Sequence, residues 1–219
     1  MKQNPFSEPP PLLVRLLNRL IPLLYSHFAG LYDTAAWLVS RGRWQQWQCD
    51  ALGDLPEGRL LEVGCGPGHL LHHLLSRGCD VLGLDQSPHM LQRARRRILP
   101  VTPSLHLIRA KTEAIPLPDN HFYGIVSAFP TDYILNTTTL KELHRILHPQ
   151  GTIVVLPYVT PDAASWWGRL AGWLLNAPPA GSETPPQWMQ RFEQAGFQIR
   201  FSTVNVYGDV VYRLQLSKR

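Results

Sequence analysis

The sequence predicts an α/β fold with a doubly wound, mostly parallel sheet. Three observations carry that expectation. A short apolar strand, Leu60-Leu61-Glu62-Val63, runs into glycines at alternate positions, Gly64, Gly66 and Gly68, and then into an apolar helix. A second apolar run, Val81-Leu82-Gly83-Leu84, ends in Asp85. It leads to a helix with Ser87 as N-cap and Pro88 at the first position, a favoured pairing. The chain closes with strand-like stretches at 197–207 and 210–216, joined by Gly208-Asp209 as a tight hairpin.

The remaining elements follow in order. Residues 1–11 are polar and proline-rich and read as a disordered tail. Residues 12–50 read as a helical cap. Its first helix, 12–24, confines Arg15, Asn18, Arg19 and Pro22 to a narrow arc, and its second, about Tyr32 to Asp50, carries Trp37, Trp44 and Trp47. The main domain spans 51–219. Its first strand is Arg59–Val63, and its first helix runs from about Gly68 to Arg77, with Gly78 as the residue that ends it. Leu105–Arg109 is the third strand, Ile125–Phe129 the fourth and Thr152–Pro157 the fifth. Residues 162–195 form a helical insertion. In it Trp166, Trp167, Leu170, Trp173, Leu174 and Leu175 surround a narrow stripe of Ser165, Arg169, Gly172 and Asn176. Thr184 and Gln187 make a capping box for a further helix that ends at Gly196.

Composition limits the function. A chain of 219 residues suffices for one α/β domain with a sizeable core. A net charge of +5 is too small for a dedicated nucleic-acid binder but suits an anionic membrane surface. Cys49, Cys65 and Cys79 have no metal or disulfide spacing and read as reduced thiols of a cytoplasmic protein. His69 and His73 have the i, i+4 spacing of a zinc pair without a third ligand, so no metal is expected. Residues 12–24 are too interrupted by polar groups to span a bilayer.

Glycines between strand and helix let backbone N–H groups approach a ligand closely. An acid at the tip of the second strand suits a ribose diol. The Gly-x-Gly-x-Gly spacing after Glu62, with Asp85-Gln86-Ser87-Pro88-His89-Met90-Leu91, resembles the first two motifs of class I S-adenosylmethionine (SAM)-dependent methyltransferases, of the ubiquinone/menaquinone-biosynthesis type. The resemblance covers about residues 59–157. It implies a Rossmann-like seven-stranded sheet with the C-terminal antiparallel hairpin, and SAM as cofactor. It further implies that Glu62, Gly64, Cys65, Gly66 and Gly68 line the methionine end, that Asp85, Gln86 and Met90 form the ribose side, and that Thr112 and Glu113 face the adenine. Phe129, at the tip of the fourth strand, faces the transferred methyl.

Two positions depart from the family. Lys111 stands where an acid usually accepts from the adenine amino group, and an ammonium has no acceptor. Tyr123 replaces the acid of a Phe-Asp pair. These departures keep open a methyltransferase-like protein without catalysis. A dinucleotide oxidoreductase also has an acid like Asp85, but the glycine spacing and the hairpin oppose it. The stretch Ser127-Ala128-Phe129-Pro130 is not the Pro-Pro-aromatic motif of base N-methyltransferases. Candidates for a base are Tyr32, Asp132, Tyr133 and His27. The acceptor implied by the leucine- and tryptophan-rich additions is small and apolar or lipid-like, such as a quinone precursor or phospholipid headgroup. Helices 12–24 and 163–176 raise peripheral association with a membrane surface.

Overall fold

The computed structural model describes residues 40–104, 106–162 and 189–219. In chain order they form α1 (Trp44–Leu52), β1 (Leu60–Val63), α2 (His69–Ser76), β2 (Val81–Asp85), α3 (Pro88–Ile98), β3 (Leu107–Arg109) and β4 (Phe122–Ala128). A 3₁₀ turn at Asp132–Leu135 precedes α4 (Thr137–Ile146), β5 (Leu147–Leu156), β6 (Val159–Thr160), α5 (Gln190–Gln194), β7 (Phe197–Val206) and β8 (Asp209–Lys218).

The strands make one mixed sheet. Strands β3, β2, β1, β4 and β5 lie side by side and parallel, and β8 joins β5 antiparallel. Strand β8 is paired along its other edge with β7 over its whole length. Strand order reverses between β1 and β4, which opens a crevice at their C-terminal ends. All four residues of β1 are buried, as expected for a parallel strand covered on both faces. The period of two splits them. Leu61 and Val63 join Ile125, Ile153, Leu143 and Phe192 on one side, under α4 and α5. Leu60 joins Trp47, Ala51, Leu70 and Leu74 on the other, under α1 and α2.

Three expectations need correction. Among the described residues the sheet has eight strands rather than seven, because Pro157-Tyr158 interrupts the fifth strand and β6 resumes pairing with β8 at Val159↔Val211. The hairpin turn is Tyr207-Gly208, with φ of 52° and 90°, so Asp209 opens β8 instead of sitting in the turn. The second cap helix does not run unbroken to Asp50. Arg41 and Gly42 both have positive φ, which a right-handed helix cannot continue through, and α1 restarts at Trp44. The expected tail, the 12–24 helix and the 163–176 helix lie outside the described residues. The Ser87 cap is as expected, its hydroxyl accepting from Met90 N at 3.4 Å.

Candidate cofactor and acceptor site

A cleft of about 690 Å³ opens at the C-terminal tips of β1, β2 and β4. That size suits one small ligand. Its floor is the glycine loop. Gly64 and Cys65 N–H both donate to Leu84 O, at 2.8 and 3.0 Å, and Arg97 donates to Pro67 O. These bonds hold the loop against β2 and α3.

Each glycine has its own reason. A Cβ on Gly64 would coincide with the Tyr133 hydroxyl. A Cβ on Gly66 would meet nothing within 4 Å, although the residue is buried and has φ of 52°. It would project into the cleft, so glycine there leaves the backbone open to a ligand. A Cβ on Gly68 would press on Ala94 of α3 at 2.8 Å, so this glycine serves helix packing.

Two carboxylates face the loop. Asp85 accepts from Gly66 N through Oδ2 and from Ser87 N through Oδ1, both at 2.8 Å. These bonds leave part of its about four lone-pair sites for hydroxyl donors. Burial raises its pKa, against the opposing pull of those backbone N–H groups. Glu62 is 3% exposed, and its Oε2 has no hydrogen-bond partner. Burial, then the Asp85 carboxylate, pushes its pKa well above the ordinary range. An orphaned buried acid at a cleft wall fits a ligand that brings a cation.

The third wall is Ala110, Thr112 and Glu113. Thr112 Oγ1 shares a hydrogen bond with Thr139 at 3.0 Å and donates to Glu113 Oε2 at 3.3 Å. The loop is clamped from α4. Arg145 Nε donates to Glu142 Oε1 at 2.9 Å, and Nη2 donates to Glu142 Oε2 and Ile115 O, both at 2.8 Å. Nη1 donates to Leu117 O at 2.8 Å and Asp119 Oδ1 at 2.5 Å. All five N–H donors of the guanidinium are engaged. The Arg145 hydrogen bonds in turn hold the Glu142 carboxyl below its usual range. Lys111 is exposed and absent from the cleft wall, whereas Thr112 beside it is buried and on it.

The fourth wall lies beyond β4. Phe129 has φ of 51°, and its ring packs on Trp44 at 4.7 Å and Trp47 at 6.4 Å. A positive φ on a bulky residue is strained and persists only where its surroundings enforce it. Here two tryptophans do so. Tyr133 and Ser127 hydroxyls contact each other at 2.8 Å, and both reach Val63 O at 3.1 Å.

The structure thus brings Glu62, Gly64, Cys65, Gly66, Asp85, Gln86, Thr112, Glu113, Phe129 and Tyr133 to one cleft. It does not bring Gly68 or Met90 there. Met90 is fully buried in the core beneath the Ser87 cap. Asp132 is exposed and off the wall, and Tyr32 and His27 lie outside the described residues. The Cys65 thiol is buried and its pKa raised, first by burial, so it is inert. Tyr123 stacks on His148 at 4.1 Å at the opposite end of β4, so that departure does not touch the cleft. Trp44 and Gln48 were missed. They are one helical turn apart on α1, but only the bend at Arg41-Gly42 fixes which face they present. No group of three or more ligating side chains suited to a metal occurs among the described residues.

A methyltransferase-domain family model matches residues 60–151, from β1 into β5. A demethylmenaquinone methyltransferase of Thermus thermophilus is 33% identical over 152 residues, covering 65% of this chain and 68% of that protein. A ubiquinone/menaquinone biosynthesis C-methyltransferase of Syntrophotalea carbinolica is 28% identical over 144 residues, covering 63% and 61%. Among solved structures, a SAM-dependent methyltransferase from Thermotoga maritima superposes with a TM-score of 0.61 at 22% identity, covering 90% of this chain and 98% of that one. The fold is therefore the Rossmann-like one of SAM-dependent methyltransferases, with SAM as the cofactor. The chain belongs to the class I SAM-dependent methyltransferases, in the group that resembles the enzymes of ubiquinone and menaquinone biosynthesis.

Proposed function

We propose that the protein methylates a small apolar ring, of the quinone-precursor class, held against the Trp44–Phe129 wall. The observation that carries this reading is that wall. It is two packed aromatic rings, with Ala128 and Pro130 beside them, at the β4 tip and next to the SAM cleft. The names of the relatives, which act on menaquinone and ubiquinone precursors, support the same class.

SAM supplies an activated methyl group. In this reading the chain supplies position. Asp85 takes hydroxyl donors with its spare lone pairs, Glu62 offsets the positive charge, and the loop at Gly66 admits the ligand to backbone contact. The stretch 110–113 closes the far end, tied to α4 through Thr112 and Thr139 and continued by the 115–119 segment that Arg145 holds. Phe129 and Trp44 orient a flat acceptor and exclude water, which concentrates catalysis in alignment and desolvation. Of the expected base candidates among the described residues, Tyr133 lines the wall and Asp132 does not. Tyr133 is already bonded to Ser127 and Val63, which favours a positioning role.

The test is incubation of the purified protein with labelled SAM and three acceptor sets: demethylated quinones, phospholipids and small water-soluble phenols. Label in the quinones and not the others supports the proposal. Label confined to phospholipid or to water-soluble phenols overturns it. A Trp44→Ala, Phe129→Ala pair should raise the KM for the acceptor while leaving cofactor affinity within about twofold.

A further inference from the structure

Gln48 is a residue of α1 with no role in the site so far. It is 7% exposed, it lines the cleft, and its side-chain Oε1 has no hydrogen-bond partner. A buried amide oxygen left unpaired is unfavourable, and native proteins rarely keep one without a reason. Glu62 Oε2 is the other orphaned oxygen on the same cleft wall. Both residues line the cleft, and both belong to the α1 side of the sheet. Glu62 shares its strand face with Leu60, and Leu60 packs with Trp47 and Ala51, the α1 residues on either side of Gln48. The Cys49 thiol, raised to about 11 by burial and then by Asp50 and Glu62, places α1 within the field of that carboxylate.

Two unpartnered acceptors, one anionic and one neutral, call for a ligand group with several donors and a positive charge. The amino-acid end of SAM carries such a group, an ammonium with three N–H donors. We propose that Gln48 is a cofactor-binding residue whose side-chain carbonyl, with the Glu62 carboxylate, accepts from the ammonium of SAM. This rests on the cleft being the SAM site. It makes α1 part of the cofactor site, so seating of α1 and loading of the cofactor are coupled.

The experiment is calorimetric titration with two probes. S-adenosylhomocysteine carries the ammonium. 5′-Methylthioadenosine has the same adenine, ribose and thioether but lacks the amino-acid end. Gln48→Met, nearly isosteric, should weaken S-adenosylhomocysteine by about ten- to a hundredfold, the worth of one hydrogen bond to a charged group. It should leave methylthioadenosine within about twofold. Gln48→Leu should repeat the pattern, so the result does not hang on one variant's folding. Both variants should melt no lower than the parent, because an orphaned oxygen is removed from burial. Glu62→Gln should show the same probe selectivity, and the double variant should lose less than the sum. Unchanged S-adenosylhomocysteine affinity overturns the proposal, as does equal loss of both probes or loss only of acceptor binding. A parent that binds neither probe would instead refute the cleft as the SAM site.

Discussion

The indole N–H of Trp47 donates to Asp209 Oδ2 at 3.0 Å, joining α1 to the start of β8 across 162 residues of sequence. The same carboxylate pairs with Arg43 at 3.3 Å and accepts from Asp162 N at 2.8 Å. Asp209 is 1% exposed, so among the described residues these partners compensate for its burial. Asp209→Ala should destabilise the protein by about 3 kcal/mol and loosen the tryptophan wall. Urea denaturation with intrinsic fluorescence would show both. A loss under about 1 kcal/mol would mean that the hub is dispensable.

Asp85 has a double task that its position at a strand end does not reveal. It fixes Gly66 and Ser87 N–H as well as offering free lone pairs. Asp85→Ala should therefore weaken SAM by about 1.5–3 kcal/mol and also lower the melting temperature. Gly66→Val should abolish binding with little disturbance beyond the strain of its positive φ. Full SAM affinity in both variants would exclude the assigned site.

Glu62 sets a pH dependence. Its folded pKa lies above its unfolded value, so the folded protein binds more protons in the interval between the two. Stability without cofactor must then fall as pH rises through that interval and level off above it. Cofactor binding favours the carboxylate, so it releases a proton, and affinity should increase as pH rises toward the folded, cofactor-free pKa and level off above it. Melting curves from about pH 5 upward, with calorimetry in buffers of different ionisation enthalpy, read both effects. Glu62→Gln should flatten them. Equal slopes in parent and variant would assign the effect elsewhere.

Arg145→Lys is expected to behave as a severe change. An ammonium has three donors and no planar fork, so it cannot replace five engaged N–H groups. The 112–119 loop should loosen, lowering stability by about 2 kcal/mol and weakening adenosine-containing ligands in parallel. Hydrogen exchange at Ile115 N, which now donates to Glu142 at 2.8 Å, would register the loosening directly.

Membrane association rests on sequence, since no helix among the described residues is long and apolar enough to cross a bilayer. The parent should co-sediment with anionic liposomes at low salt, and a Trp166→Ser, Trp173→Ser double variant should do so less. Retention of the parent in the supernatant would leave those residues to packing alone.

Much of the site was legible because its chemistry is local. Glu62, the glycines, Asp85 and the 110–113 stretch sit at strand ends, and strand ends show as breaks in apolar runs. What was not legible depends on contacts far apart in sequence. The exchange of Asp209 between turn and strand follows from a one-residue choice at Tyr207-Gly208. Nothing in the sequence marks Arg145, because its five acceptors come mostly from a loop some 28 residues earlier. Trp44 and Gln48 needed the bend at Arg41-Gly42. Lys111 and Tyr123 seemed to argue against SAM, yet one is exposed off the cleft wall and the other lies at the base of β4.

The Trp47–Asp209 bond also orders events in time. During synthesis α1 emerges early, and its anchor on β8 follows 162 residues later. At about 5–20 residues per second, that is a wait of roughly ten to thirty seconds. Throughout it Trp47 lacks this hydrogen-bond acceptor, while Phe129 and the parallel strands can already assemble beside it. The anchoring of α1 is thus completed last, when the hairpin reaches back to Arg43 and Trp47. A nascent chain that stalls before Asp209 would hold most of the sheet but present its tryptophans to chaperones.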